Sequence, residues 1–240
     1  MAVKIGSARI DENGNAKGGK AGDQTGKEVS TQNWYKHTKK WRVFRPVSAS
    51  DAEKIAQDMQ WACDNKNIGY DQNQRLTLYN VAKEVGFNCK LVNKPCETDC
   101  SALVRVCCAY AGIMLPNFRT PTEPNALLDS GRFVEMVGTK YSDSSDYLKR
   151  GDILVTSTQG HTVIVLNDGK KAEKTNQEVF VTGGSVYVRT APNTTKGKIL
   201  GVVHKGESYP YQGETSENGW YLIIYKNANG WISPKYSALT

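Results

Sequence analysis

The segment ETDCSALVRVCCAYAG, residues 97–112, holds three of the six cysteines of this 240-residue chain and decides how its first domain is interpreted. Its apolar residues recur at helical spacing, which predicts a helix terminated by Gly112. Cys100 lies at the predicted helix start, where free amides and the helix dipole stabilise a thiolate. Cys107 and Cys108 lie two turns inside the helix, where a thiol packs as a small apolar group. The sequence therefore assigns one cysteine to chemistry and two to packing.

A nucleophilic thiol needs a base, and the chain offers three histidines for that role. His37 lies in a basic run that would lower its basicity, and His204 lies in a β-rich segment near the C-terminus. His161 opens the predicted strand HTVIVL directly after Gly160, so its ring is expected at a strand end beside a loop. We therefore predict that Cys100 and His161 form a catalytic pair.

A third side chain is expected to orient the imidazole. Asn167, Asp168 and Glu173 follow His161 on the same predicted hairpin, and Asp152 lies on the preceding strand. A tight turn after Asp168 would bring residues near Glu173 back towards His161. The spacing does not choose among these four residues.

Composition describes an ordinary globular protein, with 39% hydrophobic and 23% charged residues. There is no run of about 18 apolar residues, so no membrane span is expected. The N-terminus lacks the apolar core of a secretory signal, so the chain is expected to be held first in a cytoplasm. All six cysteines fall between Cys63 and Cys108, a distribution that favours reduced thiols. Their spacing lacks a metal-ligand pattern, so no metal or cofactor is expected.

The net charge of +7 is concentrated at one end of the chain, because residues 1–46 hold ten Lys or Arg against four Asp or Glu. Such a basic segment suits a polyanion: nucleic acid, a membrane surface or an anionic cell-wall polymer. Solubility alone is an equally good explanation. Nucleic acid ranks last, since no recognisable nucleic-acid-binding module accompanies the charge.

The chain divides into a helical part followed by strands. Six glycines predict irregular backbone over residues 1–30, and Ser50 with Glu53 forms a capping box for a first helix near residues 48–67. A second helix is predicted over residues 75–87, and two β-rich runs over residues 151–169. Short β-rich runs separated by turns then continue to the end. The fold class is α+β, with a catalytic domain at 1–172, a linker at 173–180 and a small all-β barrel at 181–240.

Four stretches resemble known families. TDCSALV resembles the nucleophile motif of the papain-like NlpC/P60 and CHAP peptidoglycan hydrolases, and GDILVTSTQGHTVIVL resembles their base-bearing strand pair. GKAGDQTGKEVSTQNWY is similar to a stretch of phage and prophage endolysins. The segment from GSVYVRTAP to NGWISPKYSAL resembles a bacterial SH3 domain, the type that binds cell walls. The resemblance implies a papain-like domain followed by an SH3-like barrel.

The resemblance implies that an amide in the peptide part of peptidoglycan is hydrolysed through a thioester on Cys100. His161 would act as general base and then as acid, and the Cys100 backbone N–H would hold part of the oxyanion. Gln24 is a further candidate donor, chosen by residue type. The bond is either the one between glycan and L-alanine, cut by an amidase, or one within the stem peptide, cut by an endopeptidase. In the commonest NlpC/P60 pattern a histidine follows the base by about a dozen residues; here Glu173 stands at that position.

Two sets of ligand-contacting residues are expected from the same resemblance. The first set would contact substrate: Asp23, Trp34, Tyr35, Asp99, Ser101 and Gly160. The second set would contact the wall from the SH3 domain: Tyr187, Arg189, Tyr209, Tyr211, Trp220 and Trp231.

The implied partner is bacterial peptidoglycan, and the SH3 domain indicates a Gram-positive wall. Endolysins of this kind accumulate in the host cytoplasm and reach the wall once a holin permeabilises the membrane, which would explain the missing signal. Two other functions stay open at this stage: a non-catalytic protein that binds a wall or a peptide, and a papain-like acyltransferase that uses the same Cys and His.

Overall fold

The computed structural model describes residues 2–158, 160–170, 177–226 and 228–240, and it contains a mixed α/β domain followed by an all-β domain. The helices are α1 (Ala49–Asp64), α2 (Thr77–Glu84), α3 (Cys100–Tyr110), α4 (Glu123–Asp129) and α5 (Thr139–Ser142). The strands of the first domain are β1 (Lys4–Ala8), β2 (Val29–Asn33), β3 (Trp41–Pro46), β4 (Ile68–Tyr70), β5 (Cys96–Thr98), β6 (Phe133–Met136), β7 (Ile153–Thr156) and β8 (Thr162–Val165). The strands of the second are β9 (Glu178–Val181), β10 (Ser185–Arg189), β11 (Ile199–His204), β12 (Ser208–Thr215), β13 (Tyr221–Tyr225), β14 (Ala228–Ile232) and β15 (Ser237–Leu239).

The expectation of irregular backbone over residues 1–30 was wrong for β1 and for the start of β2. These two strands pair with each other, and β1 also pairs with β8, more than 150 residues away in sequence. The glycines that suggested a loop lie mostly between the two strands. The glycine content correctly predicted the loop between β1 and β2. It did not predict the strands themselves, because β8, which pairs with β1, is distant along the chain.

A six-stranded antiparallel sheet forms the centre of the first domain, in the order β2-β1-β8-β7-β3-β6. Strands β7 and β8 are buried along their whole length. Their sequences, ILVT and TVIV, are almost continuously apolar, as expected of strands covered on both faces. The sheet therefore needs a covering layer on each side.

Helices α1 and α3 cover one face of this sheet. Ile55 and Met59 from α1 pack with Leu103 and Val104 from α3 against Ile164 of β8, and all five are fully buried. Cys107 and Cys108 lie in the same core and are fully buried, which confirms their packing role.

The second domain covers the other face of the sheet. Trp220 and Trp231 of this domain are buried in one apolar cluster with Trp41 of β3 and Val163 of β8. The Trp231 ring N–H donates to the Glu135 carbonyl at 3.0 Å. The two domains are thus in direct contact through a shared core.

The seven strands of the second domain lie in the order β11-β10-β14-β13-β12-β9-β15, an all-β arrangement that fits an SH3-like domain. Strand β9 pairs with both β12 and β15. The predicted linker, 173–180, includes its first three residues, 178–180. They belong to the sheet, because the partners that make them a strand lie near the C-terminus.

Helix ends follow the expected capping chemistry with one shift. Gly112 has a φ of +81° directly after α3, and the N–H of Ile113 reaches back to the Cys108 carbonyl, so this glycine terminates the helix as predicted. The cap of α1 is Ser48, whose side chain accepts from the Asp51 N–H, and the prediction of Ser50 was wrong by two residues. Across the described ranges, no helix is long and apolar enough to cross a bilayer.

Candidate active site

Asp99 fixes the start of α3 and thereby the position of Cys100. Its backbone is extended, and its carboxylate accepts from the Ala102 N–H at 2.7 Å and from the Ser101 hydroxyl at 2.9 Å. This is the standard geometry of an N-cap. Cys100 is the first helical residue, so its own N–H has no intrahelical acceptor.

Arg75 holds this cap from behind. Its guanidinium donates to the Asp99 carboxylate, to the Ser101 hydroxyl at 3.0 Å, to Asn117 at 2.8 Å and to the Phe118 carbonyl at 2.6 Å. Arg75 and Asp99 are both buried. The negative charge that caps the helix is therefore paired inside the protein.

His161 is positioned by a tight connection between β7 and β8. The His161 N–H donates to the Thr156 hydroxyl at 3.2 Å, and the His161 carbonyl accepts from the Thr156 N–H at 3.0 Å. Gly160, directly before it, has a φ of +116°, which a side chain rarely allows, and its N–H donates to the Thr120 hydroxyl at 3.1 Å. Gly160 was predicted to contact substrate; in the structure its backbone shapes the turn that presents His161.

The structure brings Cys100 next to the start of β8. The Cys100 sulfur lies close enough to the backbone N–H groups of Thr162 and Ser101 that both act to lower the pKa of its thiol, against the larger effect of burial. Thr162 is the residue after His161, so the thiol lies beside the strand that follows the histidine, although Cys100 and His161 are 61 residues apart in sequence. That the two side chains act as a pair stays a prediction.

Both groups are held in their neutral forms. Burial, with the charges of Asp99 and Glu123, raises the pKa of the Cys100 thiol to about 12. Burial, with the charges of His37 and Arg9, lowers the pKa of His161 to about 4. The expectation that the helix start would favour a thiolate was wrong for this state, because desolvation and a carboxylate cap outweigh the dipole. The arrangement suits a neutral imidazole that removes the thiol proton during attack.

A cavity of about 560 Å³ opens on the His161 ring and is lined also by Arg9, Ile10, Gln32 and Tyr35. Tyr35 is 38% exposed, and it is the predicted substrate contact that shares this cavity. The Trp41 ring lies behind, with its centroid 6.3 Å from that of His161. The candidate base therefore shares one cavity with a cation, Arg9, an amide, Gln32, and an aromatic ring, Tyr35.

Sequence reasoning missed two buried groups beside Cys100. The Tyr70 hydroxyl, which accepts from the Gln72 amide at 3.1 Å, lies close enough that the charge on Cys100 contributes to raising the pKa of Tyr70 to about 12, after the larger effect of burial. Glu123 is fully buried, accepts from the Thr162 hydroxyl at 2.8 Å, and has its pKa raised well above the usual range by burial. Neither residue lies in a motif, so no local signal pointed to them.

The predicted third members of the triad do not meet His161. Asn167 and Asp168 lie beyond the opposite end of β8, roughly 20 Å away along an extended strand. Asn167 accepts from the Lys4 N–H at 2.7 Å, and Asp168 accepts from the Arg150 N–H at 2.7 Å. Asp152 forms a buried ion pair with Arg45 at 2.7 Å. Glu173 lies outside the described residues.

Four other predicted site residues have structural partners. The Gln24 amide donates to the carbonyls of its own loop at 2.9 and 3.1 Å, so it is not poised as an oxyanion donor. Asp23 accepts from the Gly26 N–H at 2.6 Å within the same loop. Trp34 packs against the core shared by the two domains. Ser101 belongs to the cap network together with Asp99.

The predicted wall-binding residues fall into two groups. Tyr211, Trp220 and Trp231 are no more than 7% exposed, so they cannot present their rings to a wall, because they fill the small domain and its contact with the sheet. Tyr187 is 52% exposed, and the Arg189 guanidinium lies 5.4 Å from its ring centroid. Tyr209 is half-buried and donates to Glu207 at 2.8 Å.

All six cysteines are free and buried. In the part of the chain that the structure describes, no three His, Cys, Asp or Glu side chains converge as metal ligands would.

We expect catalysis to persist into mildly acidic solution. A base must be neutral to accept the thiol proton, and with a pKa of about 4 His161 stays neutral until the pH falls through that value. The rate of a reaction that uses His161 as base should therefore hold to about pH 5 and fall near pH 4. With an ordinary histidine the rate would already fall near pH 6.5. Initial rates measured against pH, with circular dichroism recorded at each pH to exclude unfolding, test this. An acidic midpoint near 6.5 would contradict it.

The fold and the site define a two-domain protein in which an α/β domain presents a cysteine and a histidine together and an SH3-like domain packs behind it. Residues 5–172 match the family described as endolysin-like domain, and residues 184–238 match the bacterial SH3 domain family. The chain belongs to the endolysin-like domain family, and its two matched domains form an endolysin-type architecture, that of a cell-wall lytic enzyme. No curated protein and no solved structure matches the chain.

Proposed function

We propose that this protein is a phage endolysin that hydrolyses an amide in the peptide part of bacterial peptidoglycan, with Cys100 as nucleophile and His161 as general base. The observation that carries the proposal is that Cys100 begins α3 and its sulfur lies close to the Thr162 N–H, at the residue that follows the proposed base. The NlpC/P60 or CHAP type of papain-like domain is part of the proposal. It is supported by α3 packing on the sheet with its N-terminal cysteine near the start of β8.

In the proposed reaction the Cys100 proton passes to the neutral His161 ring as the sulfur attacks the amide carbonyl. The oxyanion accepts a hydrogen bond from the backbone N–H of Cys100, which is free at the start of α3. The Tyr70 hydroxyl is a second candidate donor, because it already accepts from Gln72 and keeps its own proton to donate. The imidazolium then protonates the leaving amine, and water hydrolyses the thioester with His161 again as base.

The SH3 domain is proposed to bind the wall through its exposed surface around Tyr187 and Arg189, since the buried tryptophans are not available for that role. A Gram-positive wall remains the predicted target. Storage in a host cytoplasm and release through a holin also stay predictions.

Mass spectrometry of purified Gram-positive peptidoglycan tests the proposal. Digestion with the wild type should release new amino and carboxyl ends, and digestion with the Cys100→Ala variant should release none. New L-alanine amines would identify an amidase, and ends within the stem would identify an endopeptidase. If the wild type released no ends, or if both digests contained the same ends, the proposal would be wrong.

A further inference from the structure

A second cavity, of about 410 Å³, lies at the start of α2 and shares no lining residue with the cavity at His161. Most of its lining residues carry an amide or a guanidinium group, among them Gln72, Asn73, Asn80, Asn117, Arg75 and Arg119. No carboxylate lines it among the described residues. Such a lining offers many hydrogen-bond donors and a positive charge.

This cavity adjoins the catalytic pair through three short connections. Arg75 and Arg119 both approach the Asp99 carboxylate, which directly precedes Cys100. Gln72 donates to the Tyr70 hydroxyl beside the thiol. A peptide whose scissile amide lay at Cys100 would therefore reach the cavity with a neighbouring group.

The charges around Asp99 leave one guanidinium available. Arg75 is buried and uses its donors on four protein partners. Arg119 is different, because its side chain is 59% exposed and its Nη1 lies 3.7 Å from an Asp99 oxygen that Arg75 already occupies. Two cations thus share one carboxylate, and Arg119 retains most of its hydrogen-bonding capacity.

Arginine is the side chain best matched to a carboxylate, because its planar fork donates two parallel hydrogen bonds. The Arg119 loop is also fixed close to the base, since Thr120 accepts the Gly160 N–H at 3.1 Å. The N-terminus of α2 lines the cavity and has no side-chain cap, so its free N–H groups add to the positive potential there.

We propose that Arg119 binds a free carboxylate of the stem peptide next to the scissile amide, so that the preferred substrate is peptidoglycan whose stem carboxylates are not amidated. This inference rests on the proposed function, because it names the substrate class for the same site. Arg119 is then a specificity-determining residue, and the amides around it complete the binding of a polar peptide.

The test compares two forms of one peptidoglycan preparation: native, and amidated at its free carboxylates with a carbodiimide and ammonium chloride. For the wild type, we expect ends to be released about ten-fold faster from the native form, the value of one charge-assisted hydrogen-bonded pair. In Arg119→Gln this ratio should fall to about one, mainly through a slower reaction with the native form. Arg119→Lys, which keeps the charge and loses the fork, should give an intermediate ratio.

Lys94→Gln is the matched control, since Lys94 is an exposed cation paired with Glu84 and lies outside the cavity. It should keep the wild-type ratio. A folding defect would slow hydrolysis of native and amidated peptidoglycan equally and leave the ratio of the two rates unchanged. The ratio therefore reports recognition of the carboxylate alone. Equal rates in the wild type, or a preference that persists in Arg119→Gln, would overturn this inference. Absence of hydrolysis of native peptidoglycan by the wild type would instead overturn the proposed function.

Discussion

Replacing Cys100 with alanine is expected to lower the rate of peptidoglycan hydrolysis on the order of 10⁴-fold or more, because the proposed covalent step loses its thiol and the neighbouring Ser101 hydroxyl is engaged by Asp99 and Arg75. Cys100→Ser should be nearly as inactive, since the neutral imidazole beside it is too weak a base for a hydroxyl. The measurement is the initial rate of release of new ends at neutral pH, at protein concentrations corrected for the folded fraction.

Cys108→Ala is the matched control for this prediction. Cys108 lies on the same helix and is fully buried in the core between α3 and the sheet. Its loss should reduce stability by about 1 kcal/mol, the effect of a small cavity, and leave the rate per folded molecule unchanged. Comparable rates for Cys100→Ala and Cys108→Ala would remove Cys100 from the mechanism.

Replacing Arg75 with methionine is expected to lower the free energy of unfolding by roughly 3–5 kcal/mol, because it leaves the Asp99 carboxylate buried without its main partner. Urea unfolding followed by far-UV circular dichroism measures this change. Activity should fall as well, since the Asp99 cap positions Cys100.

Arg42→Met is the control for Arg75. Arg42 also forms a two-point ion pair, with Glu135, but its side chain is 36% exposed, so the loss should be within about 1 kcal/mol. The double variant Arg75→Met with Asp99→Asn should recover part of the stability, because it removes the unpaired charge. If Arg75→Met and Arg42→Met lowered the free energy of unfolding equally, burial of the Arg75–Asp99 pair would not increase its contribution to stability, and the prediction would be wrong.

The elements that carry the proposed catalytic pair could be predicted because each has a local signature. The apolar period of α3, the aspartate before Cys100 and the terminating Gly112 define one helix with a cysteine at its start. Gly160 followed by an apolar β run defines a strand with a histidine before its start. What joins them is the packing of α3 on the sheet, and the family resemblance supplied that step in advance.

The third triad member could not be predicted in the same way. Proximity in sequence suggested Asn167 and Asp168, but an extended strand carries its successors away from His161 at about 3.3 Å per residue. Residues that do surround the thiol come from elsewhere: Tyr70 from the end of β4, and Glu123 from the start of α4. No periodicity connects such positions.

The C-terminal aromatics show a similar limit. Their density predicted a ligand-binding surface, yet Trp220 and Trp231 are buried against the catalytic sheet. The continuous apolar runs of β7 and β8 indicate that both faces of the sheet are covered, since a strand without polar alternation is buried on both sides. Which element supplies that cover depends on how the two domains dock.

The sequence by itself determined the helix that begins at Cys100 and the strand that follows His161, and it indicated the two-domain division, because these depend on period and capping within a few residues. It also supplied the two residues that are proposed as the reactive pair. Only the tertiary structure decided the protonation of the pair, the role of Arg75 and the exposure of each aromatic ring. Those properties depend on burial and on charges brought together across the chain: Arg75 meets Asp99 from 24 residues away, and Thr162 meets Glu123 from 39. Desolvation acts on the assembled site, so local sequence does not encode it.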